Sequence, residues 1–335
     1  MLLKSAPKND IINTQDRIIK KSGFMMRDYL RSFFEEFEYE ATDRVPFALA
    51  YERIIESTPA RERFLSLIAD YDRDTKSIVP EKIADIEFIA ARSGVNILTA
   101  TMLTVICLTR TLRARLTRLG LSKRIIALTL SDVKWKCDEC KRLHGVVGTD
   151  HFDWYTRFFE LRLFGVGRLQ FEIRSYGGDK YEKDGKRINP GDPVLAVHIP
   201  NCGVKLEEKL CNAAYRDAKK LFTSLLGVKD IPFVCESWLL HPKNCEILSP
   251  KSNIVKFMSK FDIINTGNYR KDKNMAIPFL FDKKMGTEIS ELPERTSLQR
   301  VYKELLLNDG RMGWGFGVFF LEDAPKKVAV PTENI

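Results

Sequence analysis

A histidine set in apolar sequence, followed by a tight turn and a helix, is the stretch best suited to chemistry. It reads Pro193-Val-Leu-Ala-Val-His198-Ile-Pro200, then Asn201-Cys-Gly203, then an amphipathic run from Leu206 to Phe222. The first part is short and apolar between Pro and Gly, the pattern of a strand covered on both faces. Leu206, Leu210, Ala213, Ala214, Ala218, Leu221 and Leu225 recur at helical spacing. The turn between them, Asn201, Cys202, Gly203, Val204 and Lys205, leaves backbone N–H groups at the start of a helix. Partial positive charge there suits a phosphate, and Lys205 adds a point charge. His198 lies at the C-terminal end of the strand, where ligands of α/β sheets bind. It is either a general base or a core imidazole bonded to a carbonyl.

Glu172 and Glu236 both interrupt apolar strand sequence. A carboxylate on a buried face must be paired or become harder to ionise, and the latter would suit a base. The alternatives are an outward-facing side chain or an arginine partner such as Arg168 or Arg300. Alternation puts Glu172 on the face opposite Phe171 and Ile173. Ser237 and Trp238 end a strand and offer a hydroxyl and an indole N–H, although Trp238 also suits a core. Asn253 follows the helix cap Ser252, and Thr296 with Gln299 has capping-box spacing.

Cys137-Asp-Glu-Cys140 with His144 and His151 resembles zinc spacing. A single such pair in a helix also places two thiols a turn apart without metal, and no metal is expected. Gly165-Val-Gly167 precedes a strand, the wrong context for a dinucleotide fingerprint. No Walker motif, nucleophile elbow or H-E-x-x-H is present.

The elements that must position these residues fall into two regions. Apolar stripes at helical spacing run from Phe24 to Ala69, with more helices over Ile83–Ser93 and Asn96–Leu119. Residues 1–23 are polar and expected to fray, so a mostly helical domain is expected over 1–122. From 123 to 322 the spacing predicts strands at Ile125–Leu130, Leu169–Arg174, Pro193–Pro200, Pro232–Trp238, Phe261–Asn265, Ile277–Phe281 and Trp314–Phe320. Helices at Asp150–Phe164, Leu206–Phe222, Ser252–Met258 and Thr296–Leu307 fall among them. Gly177–Gly191 reads as a mobile hairpin loop, and the tail 323–335 has no pattern. Strands alternating with helices give an α/β (α+β) sheet domain.

The chain has 335 residues, 44% hydrophobic and 30% charged, the balance of an ordinary soluble globular protein. Its net charge of +9 suits polyanionic ligands. Arg110, Arg113, Arg115, Arg118, Lys123 and Arg124 form one basic cluster, either a solvated helix face or a phosphate-binding one. Seven scattered cysteines point to reduced thiols and a cytoplasmic setting. The start lacks a signal-peptide h-region. The most apolar stretch, Val95–Leu108, falls short of the roughly 20 residues a membrane helix needs and reads as a buried helix.

Five phrases occur together: Arg162-Leu-Phe-Gly-Val-Gly-Arg-Leu-Gln-Phe-Glu172, Val197-His-Ile-Pro200, Ser237-Trp-Leu-Leu240 with Pro242, Ser252-Asn-Ile254 with Phe257, and Leu292-Pro with Thr296-Ser-Leu-Gln-Arg300. In this order they resemble a family of bacterial acyltransferases that join a helical N-acyltransferase N-terminal domain to a GNAT-like C-terminal domain. The resemblance implies an enzyme in which acetyl-CoA or another acyl-CoA lies between splayed strands. An amine, on a small molecule or peptide, then attacks the thioester directly. It also implies proton transfer by His198 with Glu172, a diphosphate on Asn201–Lys205, and an acceptor side lined by Ser237, Trp238 and Asn253. The turn has one Gly where common GNAT enzymes carry Arg/Gln-x-x-Gly-x-Gly/Ala. The rival expectation is a non-catalytic binding module whose basic face takes a polyanion or nucleic acid. No membrane partner is expected.

Overall fold

The computed structural model describes residues 25–270, 274–308 and 310–321. The expected frayed start and patternless tail lie outside the described residues. Two compact units divide between Arg162 and Leu163.

The first unit is helical: α1 (25–36), α2 (Ala41–Glu56), α3 (Thr58–Arg73), α4 (Ile83–Ser93), α5 (Ile97–Arg118), α6 (Lys123–His144) and α7 (Phe152–Phe159). Helix α5 is long and apolar enough to cross a membrane, yet 72% of its most apolar window is buried inside the protein. Two of its buried threonines donate backward along the helix, Thr101 to the Ile97 carbonyl and Thr104 to that of Ala100.

The strand expected at Ile125–Leu130 is instead the first part of α6. Ser122 caps that helix, its Oγ accepting from the Ile125 N–H. Ile126, Leu130, Val133, Cys137 and Cys140 then form one buried stripe at helical spacing. A short apolar run is ambiguous between strand and buried helix, and here it displaced the expected boundary from Ser122 to Arg162.

The second unit is built on a six-stranded mixed sheet, ordered β1-β2-β5-β6-β8-β7. Its strands are β1 (Leu163–Val166), β2 (Leu169–Ser175), β5 (Pro193–His198), β6 (Phe233–Ser237), β7 (Asp262–Asn268) and β8 (Gly313–Phe319). All neighbours are antiparallel except β5 and β6. The last strand does not form an edge: β8 inserts between β6 and β7. The segment expected as a hairpin loop forms an arm, β3 (Tyr181–Lys183) paired with β4 (Lys186–Ile188).

Helices α8 (Glu208–Leu226), α9 (Lys243–Ile247), α10 (Asn253–Met258), α11 (Ala276–Phe281) and α12 (Ser297–Leu307) complete the unit. The strand expected at Ile277–Phe281 is helix α11. Asn274 accepts from the Ala276 N–H at its start, and Gln299 donates to the Leu280 carbonyl near its end. The Thr296–Gln299 capping box forms as its spacing predicts.

The sheet's two faces are differently filled. On one, Phe171, Phe233 and Phe319 pack with Tyr215 and Phe222 of α8, ring centroids 4.8 to 6.4 Å apart. On the other, Val194, Ala196, Val234 and Val318 are covered by Tyr176 and by Ile188 of the arm.

Candidate active site

The reactive face is set by strand register. Gln170 of β2 lies opposite His198 of β5, and Glu172 lies opposite Ala196. Residues two apart share a face, so Glu172 and His198 are diagonal neighbours. Their side chains meet, His198 Nε2 3.0 Å from Glu172 Oε2. Glu172 is 2% exposed, while the His198 side chain keeps 25% of its surface. An ionised carboxylate can only accept, so an imidazole paired with one carries its proton on Nε2 and is held in that orientation. Gln170, 1% exposed, stands on that face opposite His198.

Directly beside the pair, the sheet opens. Parallel pairing of β5 with β6 is confined to Leu195–Phe233 and Ala196–Val234. Beyond those rungs β5 continues to His198 and β6 to Ser237 without pairing to each other. The strands part where the imidazole stands.

Past Pro200 the chain makes the turn that leads to α8. Gly203 adopts φ +73°, a left-handed conformation that glycine takes without strain. The helix begins at Glu208, two residues later than its apolar pattern suggests, and has no side-chain cap. Among the described residues, no backbone N–H from Asn201 to Lys209 donates to a protein acceptor. Arg168 organises the turn from its carbonyl side. Its Nε donates to the Val204 carbonyl at 2.9 Å, and its Nη1 to that of Pro200 at 3.1 Å. The preceding Gly167, φ +62°, lets the β1–β2 turn lie against α8, where an added Cβ would stand 3.1 Å from that of Ala214. Arg168 thus neutralises neither Glu172 nor Glu236. The sequence signal for its role lay in the Gly-x-Gly-Arg phrase, which is a turn and not a dinucleotide fingerprint.

The residues expected on the acceptor side have other placements. Ser237 Oγ accepts from the Leu239 N–H and caps a short 3-10 turn. Trp238 stacks edge-on to Tyr302, centroids 5.7 Å apart, against the cluster formed by α11 and α12. Asn253 is the first residue of α10, with Ser252 as its cap. Glu236 is exposed and stands on the same face as Val234. Burial first, then the charge of Glu236, pushes the Tyr269 hydroxyl up to about 12.

The other candidates resolve into structure. Cys137 and Cys140 are buried in α6, and burial pushes both thiols up to about 12. His144 meets Asp150 and His151 meets Glu139, each at 3.2 Å. No group of three or more metal-binding side chains occurs among the described residues. In the basic cluster, Arg110 pairs with Asp72 and Arg113 with Glu36. Arg115 is buried over the Tyr71 ring and donates to the Tyr71 carbonyl. Half of the cluster therefore has partners within the chain, Arg115 buried and Arg110 and Arg113 at the surface.

The sheet thus presents two parting strands, a histidine–carboxylate pair at the opening and a turn of free amides beyond it. Residues 28–161 match the N-acyltransferase N-terminal domain, and residues 163–319 match the GNAT-like C-terminal domain. The chain belongs to the two-domain N-acyltransferases that combine them. Solved structures of similar fold include an acyltransferase mutant in complex with octanoyl-CoA, at 20% identity over 88% of each chain and a TM-score of 0.66. Others are an acyltransferase with decanoyl-CoA (20%, 87% of each chain, 0.64) and one with decanoyl-CoA and teicoplanin (21%, 87% of each chain, 0.63). No curated protein matches the chain.

Proposed function

We propose that the protein transfers an acyl group from acyl-CoA to a primary amine by direct attack on the thioester. The observation that carries this is the parting of β5 and β6 beside the buried Glu172–His198 pair. The opening receives the thioester, and the amides of Asn201–Lys209 receive the diphosphate. His198 takes a proton from the substrate ammonium, and Glu172 stabilises the imidazolium that results. The amine nitrogen then bonds to the acyl carbon, the carbon–sulfur bond breaks, and the second proton shed by that nitrogen passes to the departing CoA thiolate. No covalent acyl-enzyme is required, which fits a site whose strand cysteine, Cys235, is buried with its thiol held well above the usual range.

Support for the acyl donor comes from the neighbours of like fold, whose complexes hold octanoyl-, decanoyl- and unacylated CoA. The teicoplanin complex supports an acceptor of small-molecule or glycopeptide size. The test is CoA release with acetyl-, octanoyl- and decanoyl-CoA, with the product identified by mass. Each acyl-CoA that is a substrate should raise the melting temperature, by about 2.7 kcal/mol of added stability at a hundredfold excess over Kd. His198→Gln should lower kcat by about 10²- to 10⁴-fold with acyl-CoA binding kept. Absence of a melting shift with all three donors would overturn the reading.

A further inference from the structure

We propose that the groove beneath the β3–β4 arm is the acceptor site, and that it takes a primary ammonium carried on an aromatic scaffold with Glu236 as its anionic anchor. This rests on the acyl-transfer reading above and names the substrate class for it.

The arm leaves β2 through Tyr176 and crosses the sheet to its edge strand. Tyr181 Oη donates to Asp262 Oδ2 at 3.1 Å, and Lys183 Nζ reaches Oδ1 at 2.8 Å. Beneath it lies a groove of about 680 Å³, the size of a small-molecule site. Tyr176, Tyr181 and Phe316 give it aromatic walls. Its charged lining holds three acids, Asp179, Glu182 and Asp262, against two lysines. Both lysines are already paired, Lys180 with Glu182 at 2.5 Å and Lys183 with Asp262. The surplus is a carboxylate.

Phe316 joins this groove to the reacting centre. It lies directly opposite Glu236 in the β6–β8 register, so the two side chains stand together on one face. That face is the reactive one. Ala196 is level with Val234 across β5 and β6, and His198 and Glu236 each follow two residues later. The imidazole and the second carboxylate therefore flank the parting on the same side of the sheet.

Glu236 has no evident structural task. It is exposed, and it makes no hydrogen bond or ion pair among the described residues. On its face it follows Val234 and stands opposite Phe316, both apolar, and its charge reaches the Tyr269 hydroxyl. A chain of net charge +9 repels cations at long range, so an uncompensated carboxylate beside the opening selects locally for an ammonium. The rings supply stacking area for the scaffold that bears it.

The test is calorimetry on the full chain saturated with CoA, with tyramine as the probe. Tyramine should bind. The matched neutral compound 4-ethylphenol and the acid 3-(4-hydroxyphenyl)propionate should bind at least tenfold more weakly. Glu236→Gln and Phe316→Leu should each weaken tyramine tenfold or more while CoA affinity stays within twofold. Tyramine affinity unchanged in both variants would overturn the proposal, as would no tyramine binding to a chain that binds CoA. A wild-type chain that binds no CoA would instead count against the acyl-transfer reading, and tyramine affinity that depends on Glu236 would still uphold the groove.

Discussion

Replacing Glu172 with Gln tests the proton machinery without changing its shape. The substitution keeps a planar side chain in a site 2% exposed and removes one charge. During transfer that charge faces an imidazolium across a contact of 3.0 Å. Two unit charges with centres about 4 Å apart interact by about 4 kcal/mol at an effective dielectric of about 20. At about 1.4 kcal/mol per factor of ten, this bounds the loss near 10³-fold in kcat. The glutamine dipole recovers part of it, so a fall of about 10²- to 10³-fold is expected. KM for acyl-CoA should stay within about threefold, because the diphosphate turn lies beyond the pair. The assay is CoA thiol release at saturating donor and acceptor, run on Glu172→Gln, His198→Gln and the double variant. If the carboxylate works through the imidazole, the double variant is no slower than His198→Gln alone. Independent, multiplying losses, or a Glu172→Gln enzyme within threefold of wild type, would refute the reasoning.

Three further outcomes follow from the geometry. Arg168→Ala should raise the acyl-CoA Kd about tenfold with little change in kcat. Arg168→Lys should not restore affinity, because one ammonium lacks the fork that spans the Pro200 and Val204 carbonyls; titration of each variant with decanoyl-CoA checks this. Burial opposes ionisation of Glu139, but His151 at 3.2 Å and Lys136 at 3.0 Å outweigh it and hold the carboxyl at about 2. Its folded value lies below the unfolded one near 4.5, so its contribution, about 3 kcal/mol at most, is complete above pH 4.5 and is lost as pH falls toward 2. Urea midpoints across that window should show a shallower acid limb in Glu139→Gln. Native protein treated with a disulfide reagent at pH 8 should label Cys202 and Cys245 first, since the other five thiols are buried, and decanoyl-CoA should protect Cys202 alone.

The parts of this architecture legible in the sequence are those whose pattern is local. The β5–turn–α8 unit, the helices Ile83–Ser93 and Ile97–Arg118, and the caps at Ser252 and Thr296 follow from spacing and capping chemistry. So does the face of Glu172, since strand alternation alone decides it. Its meeting with His198 depends on β2–β5 register, which no single segment encodes. Among the misread segments, Ile125–Leu130 and Ile277–Phe281 are apolar runs of five or six residues whose type was settled by residues outside the run, and the helix expected to reach Phe164 ends at Phe159, with Leu163 and Phe164 in β1. Ser122 begins the first helix, and Gln299, nineteen residues beyond Leu280, holds the end of the second. Trp238 read as either a core or a cleft residue, and the 3-10 turn capped by Ser237 packs it against Tyr302. Arg168 was legible only as a possible carboxylate partner, because its work is on backbone carbonyls, which residue types do not reveal.

A run of nine amides without internal partners lacks the hydrogen bonds that usually order a loop, so other contacts must hold it. Here the dipeptide Gly167-Arg168 meets that need. Gly167 brings the β1–β2 turn against Ala214 and fixes where α8 sits. Arg168 then reaches past it to the carbonyls on either side of Gly203. With the carbonyls drawn to a guanidinium, the amides are directed away from it, and the loop is ordered without using the groups a diphosphate needs. The same sheet pairs Gln170 and Glu172 with the strand that carries His198. On the proposed reading, donor binding and proton transfer are both set from β2 and the turn before it, while β6 is left free to diverge and open the sheet between them.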